Sequence, residues 1–375
     1  MYQYLIIGFI SVLLCYNTRD KNKGLAWAFF LITAFLSIRY MWGSDYPAYL
    51  QIYHEYDGIS DFSKAGDVDS VVGSHNEIGW GYLNMVAHFL HIGFFGLVIV
   101  LTIFECWVVH RMIEKYVPQQ YYWVAVMIWY FNTQSFCVNA SMMRQYLCMC
   151  IYLLVIDLMI EKRVKGYILI SVGIILLEAT IHRSSIIQLL SLPLFYINFN
   201  TNKKYSIWMV IFGGVFIIWS IFGRGWIEPY MVSFLEESDD YSSYMAYLGK
   251  SQSGSFSSGL GVMFRYMMFA TWLWFLPKIE KKRQPIVLLI IISYFFEVIA
   301  TIAPIAGRLG LYFSFLGMTC WAFLYDKAKK KPILFVLFAI EIMILVRTIP
   351  QFFYSDLWMS SFLKYQTIFS APSWM

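Results

Sequence analysis

Glu77-Ile78-Gly79-Trp80-Gly81-Tyr82-Leu83-Asn84-Met85-Val86-Ala87-His88-Phe89-Leu90-His91 is the stretch on which the topology of the whole chain turns. It is amphipathic and short, and it carries a pair of histidines and Asn84. If it crossed a membrane, every later loop would change sides. The bias of basic residues between the two sides would then reverse. Read instead as a re-entrant or interfacial helix, it leaves the lysine-rich loops together on one side, which the positive-inside rule makes cytoplasmic.

Working outward, apolar runs bounded by charged clusters recur along the chain, each near the length that crosses a bilayer core. They fall at 2–16, 24–42, 94–110, 121–138, 144–160, 167–181, 184–197, 207–222, 262–277, 285–303, 308–325 and 332–349. With 59% hydrophobic and 14% charged residues, this is not the composition of a soluble domain. The fold class is all-α: a polytopic integral membrane helical bundle of about twelve transmembrane helices with outer-face loop helices. Residues 1–375 read as a single transmembrane domain. Two long outer segments interrupt it: 43–93, with its amphipathic helix, and 223–261, acidic and Ser/Gly-rich as a flexible loop would be. Met1-Tyr2-Gln3-Tyr4 lacks the positive start of a cleaved signal peptide and reads as the beginning of the first span. Both termini then lie outside. The six cysteines sit inside apolar runs and suggest neither disulfides nor a metal site. A net charge of +5 is local to the loops, so no nucleic-acid partner is expected.

The arginines break the pattern that the lysines obey. Fourteen of seventeen lysines fall inside, whereas Arg39, Arg144, Arg183, Arg224, Arg265, Arg308 and Arg347, seven of eleven arginines, fall at outer span ends or loops. A general need for positive charge would not separate the two residue types; a need for rigid, bidentate, always-charged donors would. The competing reading is that each arginine snorkels to headgroups or pairs with a local carboxylate. For Arg347, with no motif around it, that reading is preferred.

Several short motifs surround these cations. Arg39 precedes Gly43-Ser44-Asp45-Tyr46-Pro47-Ala48-Tyr49, where Asp45 or Ser44 can cap a helix and Pro47 suits its first turn. Tyr46, Tyr49, Tyr53 and Tyr56 recur near helical spacing, as a sugar-stacking wall or as an interfacial aromatic belt. Glu77 opens the amphipathic helix, where a carboxylate can accept a proton or simply suit the helix dipole. Arg144-Gln145 begins a span, and a cation there opposes the dipole, so an anion or an acid must compensate. Glu178-Ala179-Thr180-Ile181-His182-Arg183-Ser184-Ser185 is the densest polar cluster in an apolar stretch, and His182 can serve as a base near neutral pH. His88 and His91 lack a third ligand and read as non-metal. Glycines flank Arg308 in Gly307-Arg308-Leu309-Gly310-Leu311-Tyr312, leaving room for a bulky headgroup. No nucleotide-sugar site, metal requirement or cofactor is expected.

Taken in order, Arg39…Gly43-Ser44-Asp45-Tyr46-Pro47-Ala48-Tyr49, Glu77-Ile78-Gly79-Trp80…Leu83-Asn84, Arg144-Gln145, His182-Arg183-Ser184-Ser185 and Gly307-Arg308…Tyr312-Phe313 resemble the EpsG family of Wzy-like bacterial polysaccharide polymerases. The resemblance spans roughly residues 39 to 313. Arg183 stands where the family commonly has lysine, and Ile78 where it often has proline.

The resemblance implies a GT-C-like helical architecture in the bacterial inner (plasma) membrane, with the active site facing the periplasm or cell exterior. It implies transfer of a growing glycan from undecaprenyl pyrophosphate to a sugar hydroxyl of a lipid-linked repeat unit, without a metal. The partners would be the undecaprenyl-pyrophosphate-linked oligosaccharide, membrane lipid and a chain-length regulator. His182, Asp45 or Glu77 would deprotonate the acceptor. Arg39, Arg144, Arg183, Arg265, Arg308, Gln145, Tyr46, Tyr49 and Tyr312 would hold pyrophosphate or substrate. The rival readings are a flippase for the same lipid-linked oligosaccharide and an O-antigen ligase-type glycosyltransferase. A flippase would line a path through the whole membrane with charge, whereas these arginines gather at one face.

Overall fold

The computed structural model describes residues 1–66, 77–162, 166–196, 211, 213–215, 218, 259–281, 283–300, 305–328, 331–356 and 358–370. The chain divides into two compact units: residues 1–156, 172–186 and 317–375 in the first, 157–171 and 187–316 in the second. Among the described residues the secondary structure is almost wholly helical, with one pair of two-residue strands. Among the described residues three helices are long and apolar enough to cross a membrane: Gly93–Tyr116, Met143–Glu161 and Pro332–Phe353. Most of the expected outer loop 223–261, with Arg224, lies outside the described residues, as does most of the expected span 207–222.

In the first unit, α1 (Tyr2–Asn17) and α2 (Lys21–Ser37) form a close pair. Asp20 caps α2 by accepting from the amides of Asn22 (3.1 Å) and Lys23 (3.2 Å). Gly24 permits the tight entry, since a Cβ there would lie 2.6 Å from the Leu14 carbonyl oxygen. α5 (Gly93–Tyr116) packs beside α2, and α6 (Tyr122–Phe131) beside α1. Tyr4 and Tyr130 lock α1 to α6 by exchanging hydroxyl-to-carbonyl bonds of 2.6 and 2.9 Å. One end of this bundle gathers the Asp20–Lys23 turn with Gln119 and Tyr122, and Tyr121 with Asp326 of α13 (Gly317–Ala328). The other end gathers Met1, whose ammonium donates to the Leu363 carbonyl, and β1 (Arg39–Tyr40) paired antiparallel with β2 (Gln366–Thr367).

The chain leaves α2 and enters α5 at that second end, with α3 (Tyr46–Glu55) and α4 (Ile78–Phe89) between them. Both helices stay there. Tyr46 and Tyr53 of α3 meet Phe94 at the start of α5, and His88 of α4 stacks on Tyr53 at 3.9 Å. The 12 residues of α4 reach about 18 Å, well short of a bilayer core of about 30 Å. The buried face of α4 (Trp80, Gly81, Asn84, Met85 and Ala87) joins a core with the α3 tyrosines and Leu97 and Leu101 of α5.

Three expected spans differ in detail. The run 121–138 ends its α-helix at Asn132, whose side chain accepts from the amides of Gln134 and Ser135, both at 3.1 Å. That local bond competes with helix continuation. A π-turn over Gln134–Val138 and α7 (Asn139–Ser141) then lead into α8 (Met143–Lys162). The run 308–325 breaks into α12 (Ile305–Ser314) and α13, with Gly317 starting the second piece. The run 184–197 is a 3-10 helix, Arg183–Tyr196, following α9 (Gly166–Ile181). Pro193 within it has no amide to donate, and Ser191 Oγ bonds back to the Gln188 carbonyl at 2.6 Å. Its 14 residues stretch about 28 Å, where an α-helix of that length would reach about 21 Å. The tighter winding therefore brings a short segment near bilayer length.

In the second unit, α10 (Gly259–Phe275), α11 (Gln284–Ala300) and α12 pack in sequence. Phe296 stacks on Phe313 at 5.8 Å, and Gly310 lies where a Cβ would meet the Phe296 Cβ at 3.0 Å. α14 (Pro332–Phe353) belongs to the first unit, where Phe353 meets Tyr4.

Candidate functional site

Glu77 sits at the N-cap position of α4, yet its side chain makes no capping bond. Glycine makes the alternative possible. A Cβ on Gly79 would lie 2.4 Å from Thr180 Oγ1, and one on Gly81 would lie 2.0 Å from the Ala65 carbonyl oxygen. The first turn of α4 can therefore press against the end of α9 and the 62–66 turn. That places the Glu77 carboxylate among three groups that the sequence keeps far apart. Oε2 pairs with Arg144 Nη1 at the start of α8. Oε1 lies 3.2 Å from His182 Nδ1 and accepts from the Arg183 amide at 3.1 Å.

All three side chains are largely withdrawn from water, with Glu77 10%, Arg144 18% and His182 25% exposed. Burial by itself pushes the Glu77 carboxyl up. The His182 hydrogen bond, the Arg144 and His182 charges and the Arg183 amide outweigh it, holding the carboxyl below its ordinary value. Glu77 is therefore an anion at neutral pH, and an ionised carboxylate only accepts hydrogen bonds. The His182 Nδ1 must then be the donor, which leaves the lone pair of a neutral ring on Nε2. The acid that compensates a cation at the start of α8 is Glu77.

Tyr49 floors this cluster. The Arg144 guanidinium lies over its ring, 5.5 Å from the centroid, and Trp80 packs on it at 5.3 Å. Tyr46, Tyr49, Tyr53 and Tyr56 turn into the core rather than outward. Tyr46 donates to the Arg39 carbonyl at 3.2 Å and Tyr56 to that of Ala65 at 2.8 Å. Burial pushes the Tyr46 and Tyr49 phenols above their ordinary value, so neither supplies a base at neutral pH.

Asp45 follows Gly43, which has φ +133° and a Ser141 Oγ only 2.9 Å from any added Cβ. Only glycine suits that backbone. Pro47 takes the first turn of α3, but Asp45 makes no side-chain cap. Its amide donates to Ser141 Oγ at 3.0 Å, and its Oδ1 accepts from Ser44 Oγ at 2.8 Å. The carboxylate stays half-exposed and close enough to act electrostatically on Tyr49.

Arg39 is placed differently. It is fully buried, and its guanidinium donates to the Leu36 carbonyl (2.5 Å), Thr102 Oγ1 (2.8 Å) and the Ala140 carbonyl (3.3 Å). It braces the end of α2 against α5 and α7. Gln145 is also buried. Arg183 is exposed, and its guanidinium pairs with no carboxylate among the described residues. Arg265, Arg308 and Tyr312 belong to the second unit. There Arg265 meets Glu297 of α11, with Nε 3.4 Å from Oε2 and Nη1 3.5 Å from the carbonyl oxygen. Arg308 is exposed and Tyr312 buried. No cluster of three or more metal-ligating side chains occurs among the described residues.

Sequence reading missed Ser141 and the C-terminal segment, and it gave Trp80 no role of its own. Ser141 could have been suspected from Asn139 and Ser141, polar positions just ahead of Arg144. The C-terminal segment carries no such signal. It holds the Gly43 region: the Trp42 indole donates to the Phe362 carbonyl at 3.0 Å and its ring meets Phe362 and Tyr365, the Gly43 amide donates to the Ser361 carbonyl at 3.1 Å, and β2 pairs with β1.

No curated protein and no solved structure matches this chain. The EpsG family matches it from residue 2 to residue 367, nearly end to end and across every motif of the cluster. With that match and the apolar helices, the chain belongs to the EpsG family and is a membrane protein of polysaccharide biosynthesis.

Proposed function

We propose that this protein is a Wzy-type glycan polymerase. In this reading it is a GT-C-like bundle of about twelve spans in the bacterial inner membrane. It transfers a growing glycan from undecaprenyl pyrophosphate to a sugar hydroxyl of the next lipid-linked repeat unit, at the outer face. The observation that carries the reading is the convergence of Glu77, Arg144, His182 and the Arg183 amide at one bundle end.

The acceptor hydroxyl gives its proton to His182 Nε2 as its oxygen bonds to the donor's anomeric carbon. The bond from that carbon to the pyrophosphate oxygen breaks, and undecaprenyl pyrophosphate leaves. Glu77 is a positioning residue: it fixes the His182 tautomer and steadies the charge that develops on the ring. Arg144 and Arg183 meet the negative charge growing on the departing pyrophosphate. Pyrophosphate is already a good leaving group, so the scheme requires no metal. Asp45, held by Ser44 and Ser141 beside this cluster, orients the acceptor sugar.

The test is the length distribution of surface glycan in a deletion strain and after restoring the gene. Loss of the ladder with a single repeat unit retained supports polymerisation. Loss of the single unit as well would move the protein to an earlier step and end this assignment.

A further inference from the structure

The outward face of α4 carries Ile78, Tyr82, Val86 and Phe89, exposed by 44, 41, 42 and 71%. Their spacing puts them on one side of the helix. Phe62 extends the stripe by stacking near Tyr82 at 6.4 Å and meeting Phe89 at 6.5 Å. Apolar residues exposed along a spanning helix are expected to face bulk lipid. α4 does not span: it stays at one end of the first unit, and its other face is core. Its stripe also begins one residue after the site carboxylate, and the exposed Arg183 guanidinium belongs to that same end. A polyprenyl pyrophosphate carries its anion and its hydrocarbon chain on adjoining atoms, so whatever holds the head dictates where the chain starts.

We propose that the exposed stripe of α4 is the docking surface for the polyprenyl chain of the lipid-linked donor, aligned so that its pyrophosphate arrives at Arg144 and Arg183. The inference rests on the reading that this site takes a lipid-linked pyrophosphate. It assigns α4 a double role: the buried face presents Glu77, and the exposed face sorts donors by their lipid. About 18 Å of helix is available for the chain to lie along.

The full-length protein in detergent micelles is given two donors with the same glycan, one on a long polyprenyl pyrophosphate and one on a short prenyl chain. Wild type should prefer the long chain. Replacing Tyr82, Val86 and Phe89 together by asparagine should raise KM for the long-chain donor about tenfold or more. Turnover of the short-chain donor should be unchanged, which also reports an intact fold. If the variant keeps the full long-chain preference, the stripe meets only bulk lipid and the inference fails. It fails too if both donors fall equally in the triple variant and in each single variant. If wild type turns over neither donor, the polymerase reading itself falls and takes this inference with it.

Discussion

Arg39 and Arg144 occupy the same end of the same unit, yet they find opposite surroundings. The donors of Arg39 go to two backbone carbonyls and a threonine, sealed in the α2–α5 packing, with the buried Glu105 of α5 close enough to feel its charge. Those of Arg144 meet Glu77 over the Tyr49 ring at the edge of the core, and that carboxylate is shared with a histidine and a backbone amide. The first arrangement is closed inside the packing: both Nη atoms donate to protein oxygens, and only Nε is left without a partner. The second brings a cation, an anion and an imidazole together in one partly exposed cluster. A cation sealed among backbone carbonyls supports a fold, whereas one that shares its anion with an imidazole at a partly exposed edge is the better candidate for chemistry.

The contrast breaks most sharply at His182. His182→Ala should cut polymerisation by about 10²–10⁴-fold, the usual worth of a positioned base. Activity in a repeat-unit assay within tenfold of wild type would remove His182 as the base. Arg39→Met should act on the other side of the comparison. Removing one member of a buried polar network costs about 3–5 kcal/mol, read as a lower melting temperature in detergent and less protein in the membrane. Activity per folded molecule should hold. A well-folded, inactive Arg39→Met would merge the two regions.

Arg144→Lys keeps the charge and loses the planar fork. An activity loss of about tenfold to a hundredfold with normal protein level is expected, and wild-type rates would show that charge alone suffices. Thr102→Val should cost about 1 kcal/mol through the lost bond to Arg39, leaving kcat untouched. The smallest effect is on pH. Because Glu77 is held below its ordinary value, its stabilising contribution is complete above about pH 5 and declines as pH falls below about 4. A melting-temperature profile of Glu77→Gln should lose that part of the acid-side decline. Identical acid limbs in variant and wild type would mean the carboxylate is not held low.

Much of this was legible beforehand because it depends on local pattern. Apolar runs mark the helices, and the short amphipathic character of 77–91 fits a helix that stays at one end. A cation at the start of α8 calls for a compensating anion or acid without saying which one, and the motifs offer Asp45, Glu77 and His182 as candidate bases. Which groups meet was not legible. Arg144 and Glu77 are 67 positions apart, and Glu77 and His182 are 105 apart. Tyrosine spacing in α3 implied one common face, but not whether that face turned toward a sugar or the core. It turned inward because Trp80, Phe94 and the α4 glycines supply a packing surface there.

The sequence by itself determined an all-helical membrane chain, the order of its motifs and the residue types able to hold a pyrophosphate. These follow from hydrophobic period and side-chain chemistry, which act over a few neighbouring residues. Tertiary structure alone decided that Arg39 is sealed between helices, that Glu77 meets His182, and that residues 361–367 hold the Gly43 turn. Those outcomes depend on which distant backbones can approach closely. Gly79 against Thr180 and Gly43 against Ser141 set that approach, and no periodicity encodes it.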